Sequence, residues 1–357
     1  MPNTGLAQLS NVALVTAIVI YAVAMVCYAF DFAFGRRGTA GVVAATAPEQ
    51  VAAGALVGAA SGADLAGHSF PADPADLSQL ADLSGAGTAG SGGTSQAVQS
   101  PWPTGTWLRG AFVLTCLGLA VQVVAITTRG LAEHRIPWGN MYEFIAAITC
   151  AAVLVLVAAA VRFRAYFMGL FVLLPVVVAL AVDVVVIYTP AGQLVPALQS
   201  YWIAIHVTAM IIAIGMYIFG AVVTVLYLLT AGYEQKVAAG EVSKAAGILA
   251  QLPGSATLDR LAYRSILFAF PAWTFAVIAG AIWADHAWGR YWGWDPKETW
   301  SFITWLVYAA FLHARATAGW RGRRAALIQL FGFACLMFNL VGVNLWVTGL
   351  HSYAGIG

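Results

Sequence analysis

The sequence predicts an all-α polytopic membrane protein with about eight transmembrane helices, and three observations carry that expectation. Of its 357 residues, 61% are hydrophobic and only 9% charged, with a mean hydropathy of +0.82; a soluble domain carries roughly 25% charged residues. Eight apolar runs fall at about 11–33, 107–127, 140–161, 165–188, 201–230, 264–284, 299–318 and 325–349, each near the roughly 20 residues needed to cross a hydrocarbon core. If each run crosses once, all 17 lysines and arginines except Arg129, Arg135, Arg290 and Lys297 collect on one side. Cytoplasmic loops carry that excess, which puts the N-terminus and C-terminus both on the external side. A formal net charge of +2 gives no reason to expect a nucleic-acid partner.

The elements follow in order. The first run is too long for the apolar core of a secretory leader. It also lacks a basic flank and a small-residue cleavage site, so residues 1–37 read as a retained first helix. Residues 38–104 are rich in Ala, Gly and Ser without a sustained apolar period, as expected of a cytoplasmic linker. His68 falls there as a solvated loop histidine. Residues 105–357 form one membrane domain. Its third run opens on P-W-G-N-M-Y-E-F (137–144), where Asn140 as N-cap and Glu143 three residues later mark a helix start. The aromatic residues of that stretch fit an interfacial belt or the lining of a site, and both readings stay open.

The fifth run is long enough to tilt or to project from the bilayer. Residues 231–263 mix Lys and Glu with apolar residues and are expected to form a cytoplasmic surface helix. Ahead of the seventh run, Asp295, Pro296 and Glu298 read as N-cap, first helical residue and capping-box partner. Cys27, Cys116, Cys150 and Cys335 lie inside apolar runs without C-x-x-C spacing and read as inert packing residues. There is no Walker motif, dinucleotide fingerprint or H-E-x-x-H.

The chemistry concentrates around W-G-R-Y-W-G-W-D-P-K-E-T-W, residues 288–300. Trp283, Trp288, Trp292, Trp294, Trp300 and Trp305 are nearly half of the 13 tryptophans. His206 lies one to two turns into the fifth run and His351 just after the eighth, so both sit at external membrane depth. Two neutral imidazoles beside a wall of flat aromatic rings suit a six-coordinate haem iron. Arg290 and Lys297 are the basic groups of this loop; either could meet a haem propionate or simply anchor the interface. Asp295 has its capping role, which also sets the pose of Trp292 and Trp294. His313 lies roughly 25 Å down the seventh helix, in the cytoplasmic half of the bilayer. An ionisable group there is a functional candidate whose partner must be named, and no other histidine is expected at that depth. His134 and His286 read as loop histidines.

With these residues in view, W-G-W-D-P-K-E-T-W-S resembles the WWD signature of haem-handling membrane proteins. The pattern from about residue 105 onward is similar to the CcsA/ResC family, the integral-membrane component of the two-protein (System II) cytochrome c synthase. N-M-Y-E at Asn140, H-V at His206, L-H-A-R at His313 and L-H-S-Y at His351 carry the similarity. The resemblance implies that haem b rests on the WWD segment, 283–305, between His206 and His351. It also implies a deeper haem site at His313, completed by a CcsB/ResB-like membrane protein. By that resemblance the pair moves haem outward across a bacterial cytoplasmic membrane and acts as a haem lyase on the C-x-x-C-H segment of apocytochrome c. A thioredoxin-like pathway would keep the substrate thiols reduced. The cofactor-contacting set is then His206, His351, His313, Trp288, Trp292, Trp294, Asp295, Trp300, Arg290, Lys297, Asn140 and Glu143. A haem exporter or chaperone without ligase activity, of the CcmC or CcmF kind, is the first rival reading. A cytochrome b-like electron-transfer subunit is the second.

Overall fold

The computed structural model describes residues 3–34, 105–192, 196–241 and 246–351; the whole 38–104 segment, with His68, lies outside them. Among the described residues every regular element is helical. Eight helices carry the fold: α1 (Thr4–Phe34), α2 (Thr106–Glu133), α3 (Met141–Phe163), α4 (Gly169–Val185), α5 (Tyr201–Ala238), α6 (Ser255–Trp288), α7 (Pro296–Ala316) and α8 (Arg323–Met337). A π-helical turn, Phe338–Gly342, extends α8 into a last helical turn at Val343–Trp346. Seven stretches are long and apolar enough to cross a membrane, with α4 counted together with the 3-10 turn that leads into it. The eighth helix, α7, carries Lys297 and Glu298 in its first turn and His313 and Arg315 in its last, which lowers its mean apolarity while leaving 21 residues of length.

The expected helix starts are present and have local causes. Asn140 caps α3 by accepting the Glu143 N–H at 2.9 Å. Ser200 caps α5 through Trp202 N–H at 3.3 Å. Asp295, Pro296 and Glu298 form the capping box of α7. Residues 231–263 behave differently from the expectation of one surface helix. There α5 continues to Ala238 and α6 begins at Ser255, with a single helical turn, Ala246–Leu249, in between. Gly240, at φ +78°, ends α5: its N–H bonds Val237 O at 3.0 Å and that of Glu241 bonds Lys236 O at 2.8 Å, so the helix closes on a glycine that tolerates the left-handed conformation.

Packing falls into two centres. α1 pairs lengthwise with α2, and α4 closes against α1 and α3. Buried polar groups stitch these helices together: Tyr21 Oη donates to Gln122 Oε1 at 2.8 Å, and Gln122 Nε2 reaches Ala146 O at 2.9 Å and Thr149 Oγ1 at 3.0 Å. A polar group inside a bilayer needs such partners because no water is there to serve it. The second centre joins α3, α5, α6, α7 and α8. α5 is the axis of this half, running against α3, α6 and α8, and its span is the most buried of the seven. The functional cavity opens at the end of this second centre where α3, α5 and α7 begin.

Candidate functional site

Between the starts of α3, α5 and α7, the end of α6 and the π turn of α8 lies a cavity of about 1100 Å³, counting its open mouth. Its walls are mainly aromatic and aliphatic, with Trp138, Trp273, Trp283, Trp288 and Trp292 among the lining residues. A concave, mostly apolar site with a few convergent polar groups is the usual form of a cofactor or small-molecule site. Trp273 and Trp283 are almost wholly buried. Their indole N–H groups are used structurally, on Ser301 O at 3.3 Å and Ala197 O at 3.0 Å, which leaves flat ring surface to shape the pocket.

His206 and His351, 145 positions apart in sequence, both line this cavity. The His206 ring lies parallel to the Trp283 indole, 8° between planes and 6.0 Å between centroids. Its Nδ1 is 2.7 Å from Ala276 O. A carbonyl oxygen only accepts, so Nδ1 carries the proton and the lone pair sits on Nε2. His351 Nδ1 is 2.7 Å from Asp295 Oδ2, an arrangement that places the proton on the same ring atom. The edges of Trp283 and Trp288 contact this second ring at 5.6 and 4.9 Å. Trp283 therefore touches both imidazoles.

Asp295 is more than a cap. Its Oδ1 accepts the Leu350 N–H at 2.7 Å while Oδ2 holds His351, so one carboxylate ties the start of α7 to the segment after α8. Burial by itself would raise its pKa; the hydrogen bonds from His351 and from the Leu350 and Lys297 backbone outweigh it and hold the carboxyl below the ordinary carboxylate range. Glu298 locks the loop before it, with Oε2 accepting from Gly293 N–H at 2.8 Å and Asp295 N–H at 3.1 Å.

Two imidazoles with fixed tautomers, each hydrogen-bonded at Nδ1, in an aromatic cavity form a donor set suited to a haem iron. Comparison with known proteins gives the family. Residues 138–351, the segment that contains the whole cavity lining, match the family model described as cytochrome c assembly protein. The chain is 35% identical over 260 residues to the cytochrome c biogenesis protein CcsA of Guillardia theta, covering 68% of this chain and 84% of that protein. To CcsA of Gloeobacter violaceus it is 34% identical over 305 residues, covering 69% and 90%. To CcsA of Chlamydomonas reinhardtii it is 44% identical over 163 residues, covering 46% and 43%. The chain belongs to the cytochrome c assembly protein family.

Within this family member the sequence-expected residues sort by what they touch. His206, His351, Trp288, Trp292, Lys297 and Asn140 line the cavity. Asp295 acts through His351. Trp294 points outward, 65% exposed, from a left-handed backbone at φ +58°, edge-on to Trp292 at 5.8 Å and Phe302 at 6.1 Å. Trp300 packs on Phe338 at 4.3 Å, bracing α7 against the π turn. Of the two candidate cations, Arg290 lies 3.8 Å from Glu298, whereas Lys297 faces the cavity and pairs with no carboxylate among the described residues.

Glu143 sits behind the wall. It is buried, bridged to Arg135 at 2.8 Å and Arg129 at 3.3 Å, and accepts from Gly139 N–H at 2.8 Å and Asn140 Nδ2 at 3.1 Å. It thereby fixes the turn that presents Trp138 and Asn140. His313 stands apart, exposed in the last turn of α7 at the opposite end of the bundle. His134 closes α2 in a left-handed conformation, and His286 is exposed in the last turn of α6.

Three lining residues had no sequence signal. Trp273 lies mid-helix in an apolar run, and Asn339 sits in the π turn, with Nδ2 on Ser301 Oγ at 2.9 Å. Gly280 lies among small residues of α6. Each faces the cavity only through the way α5, α6 and α8 are packed.

Proposed function

We propose that this protein takes haem b as its substrate between His206 and His351, and holds it for covalent attachment to the C-x-x-C-H segment of apocytochrome c. The observation that carries this reading is the pair of imidazoles, each pinned at Nδ1 and both lining one tryptophan-walled cavity. Haem supplies the iron that takes two nitrogen ligands and the vinyl groups that accept sulfur. Each substrate thiol adds across a vinyl C=C bond, sulfur to one carbon and the thiol proton to the other, so nothing is oxidised or reduced. No nucleophile is required of the protein, because the substrate brings its own thiols.

The residues of this chain then have positional tasks. His206 and His351 orient the macrocycle, and the substrate histidine displaces one of them on release. Trp283, Trp288 and Trp292 form the face on which the ring rests and keep water from it. Lys297, which faces the cavity, offers its ammonium to a propionate. Holding reactants in register is worth about 7–11 kcal/mol in favourable cases, and it is the contribution this architecture is built to make. His313, exposed at the other end of α7, fits a second haem site whose remaining ligand comes from a ResB-like partner. Together they would carry haem to the external face of the cytoplasmic membrane, with a thioredoxin-like pathway supplying reduced thiols.

The test is the optical spectrum of the purified protein with haem, alone and with the partner, followed by addition of a reduced C-x-x-C-H peptide. Low-spin bands are expected in the wild type and their loss or shift in His351→Ala and His206→Ala, with thioether product formed only by the wild type. Bands without product would favour the export or chaperone reading. An unchanged spectrum in both variants would sink the cavity as the haem site.

A further inference from the structure

The His206 ring does not merely lie near α6; it is set into it. Ala276, Gly280 and Trp283 occupy positions i, i+4 and i+7 of that helix, one continuous stripe. Ala276 gives the carbonyl that holds Nδ1 at 2.7 Å, and Trp283 gives the parallel ring at 6.0 Å. Between them Gly280 gives bare backbone. A Cβ built at this position would stand 2.7 Å from both Cε1 and Nδ1 of His206, and 3.4 Å from Nε2. Separations under 3 Å between such atoms lie well inside their contact distance, so the ring would have to shift off its 2.7 Å bond to Ala276 O. His206 Nε2 has no hydrogen-bond partner among the described residues, and the residue lines the cavity.

We infer that Gly280 is a positioning residue for the proposed haem site: its missing side chain lets the His206 imidazole seat on α6 with Nδ1 bound and Nε2 presented to the iron. This rests on the haem reading above for its consequence, though the fit of the ring on Gly280 stands without it. An alanine at 280 displaces the ring, breaks the bond to Ala276, and turns Nε2 off the line to the iron.

The experiment is a double-variant cycle. Gly280→Ala and His206→Ala are made singly and together, with Gly232→Ala on α5 as control, since nothing lies within 4 Å of a Cβ there. Without haem, Gly280→Ala is expected to lower the thermal midpoint, or the yield of folded protein, when His206 is present and to have no such effect in His206→Ala. With haem, Gly280→Ala is expected to lose at least about tenfold in affinity, the range seen when the support of a metal-ligating histidine is removed, and to lose its low-spin bands. Exogenous imidazole should restore those bands. An equal drop in midpoint in both backgrounds overturns the inference, because the glycine would then serve helix packing alone. So does a wild-type spectrum and affinity in Gly280→Ala. If Gly280→Ala fails to accumulate, recovery in the double variant supports the seat and continued failure overturns it. A wild type that takes up no haem sinks the haem reading, while the haem-free cycle still decides the role of Gly280.

Discussion

The two imidazoles of the cavity are held by opposite means. His206 belongs to a membrane-embedded helix and is fixed by a neutral carbonyl, a bare glycine and a parallel indole, all from α6. His351 follows the last helix and is fixed by a carboxylate that belongs to another helix cap. The first seat works by shape, the second by charge. A carboxylate on Nδ1 raises the basicity of the ligating nitrogen, whereas a carbonyl does so less. The cavity thus presents one sterically fixed imidazole and one electronically stronger imidazole, an asymmetry that suits the proposed gripping and later release of haem.

Asp295→Asn should break the second seat with the largest effect. Asparagine still caps a helix, but its amide cannot accept from both Leu350 N–H and His351 Nδ1–H with two oxygens. Haem affinity should fall about 10- to 100-fold, measured by titration, and imidazole should restore the spectrum. An unchanged affinity would show that His351 is held by its aromatic neighbours alone. The same bond gives a pH signature. Because the folded pKa of Asp295 is depressed, its contribution to stability is fully present above the unfolded carboxylate value of about 3.9 and is lost as pH falls through the lower folded value. In Asp295→Asn that acid-limb change should vanish from the thermal midpoint.

Lys297→Gln should sharpen the comparison, since it keeps the Lys297 backbone bond to Asp295 and removes only the charge that faces the cavity. A few-fold loss of haem affinity with unmoved band positions is expected, and a shifted spectrum would mean that the lysine acts on the ligands. The smallest effect on either imidazole is expected from Glu143→Gln. It removes one of the two carboxylates behind the Trp138–Asn140 turn while Glu133 still pairs with Arg129 and Arg135, so stability should drop by about 1–3 kcal/mol, the cost of buried donors left without an acceptor, before haem ligation changes. A spectrum lost at wild-type stability would contradict that placement.

Much of this was legible in the sequence because its causes are local. Helix caps at Asn140 and Asp295 depend on residues three apart, and the membrane helices depend on composition. The common depth of His206 and His351 follows from counting spans. What was not legible depends on long-range packing. Asp295 reads locally as a cap, and its bond to His351 spans 56 positions that only the fold brings together. Glu143 reads locally as a helix-start residue, and that Arg129 and Arg135 converge on it is set by the fold. Lys297 and Arg290 look alike in the sequence, and only the fold sets Glu298 beside the arginine. Gly280 carries no local pattern at all, since its use is set by a ring from α5.

The π turn at Phe338–Gly342 acts as a splice in the phase of α8. A π turn accommodates one residue more than the α-helix on either side of it, and each residue of an α-helix advances the chain by about 100° and 1.5 Å. Removing one residue from this turn would restore regular winding and leave the phase of everything after it nearly unchanged. A deletion in the regular part of α8 would instead rotate the rest by a little over a quarter turn and swing His351 away from Asp295 unless the π turn absorbed it. The surplus residue is therefore slack: this turn is the place in the last helix where the chain can lose a residue and still deliver His351 to Asp295.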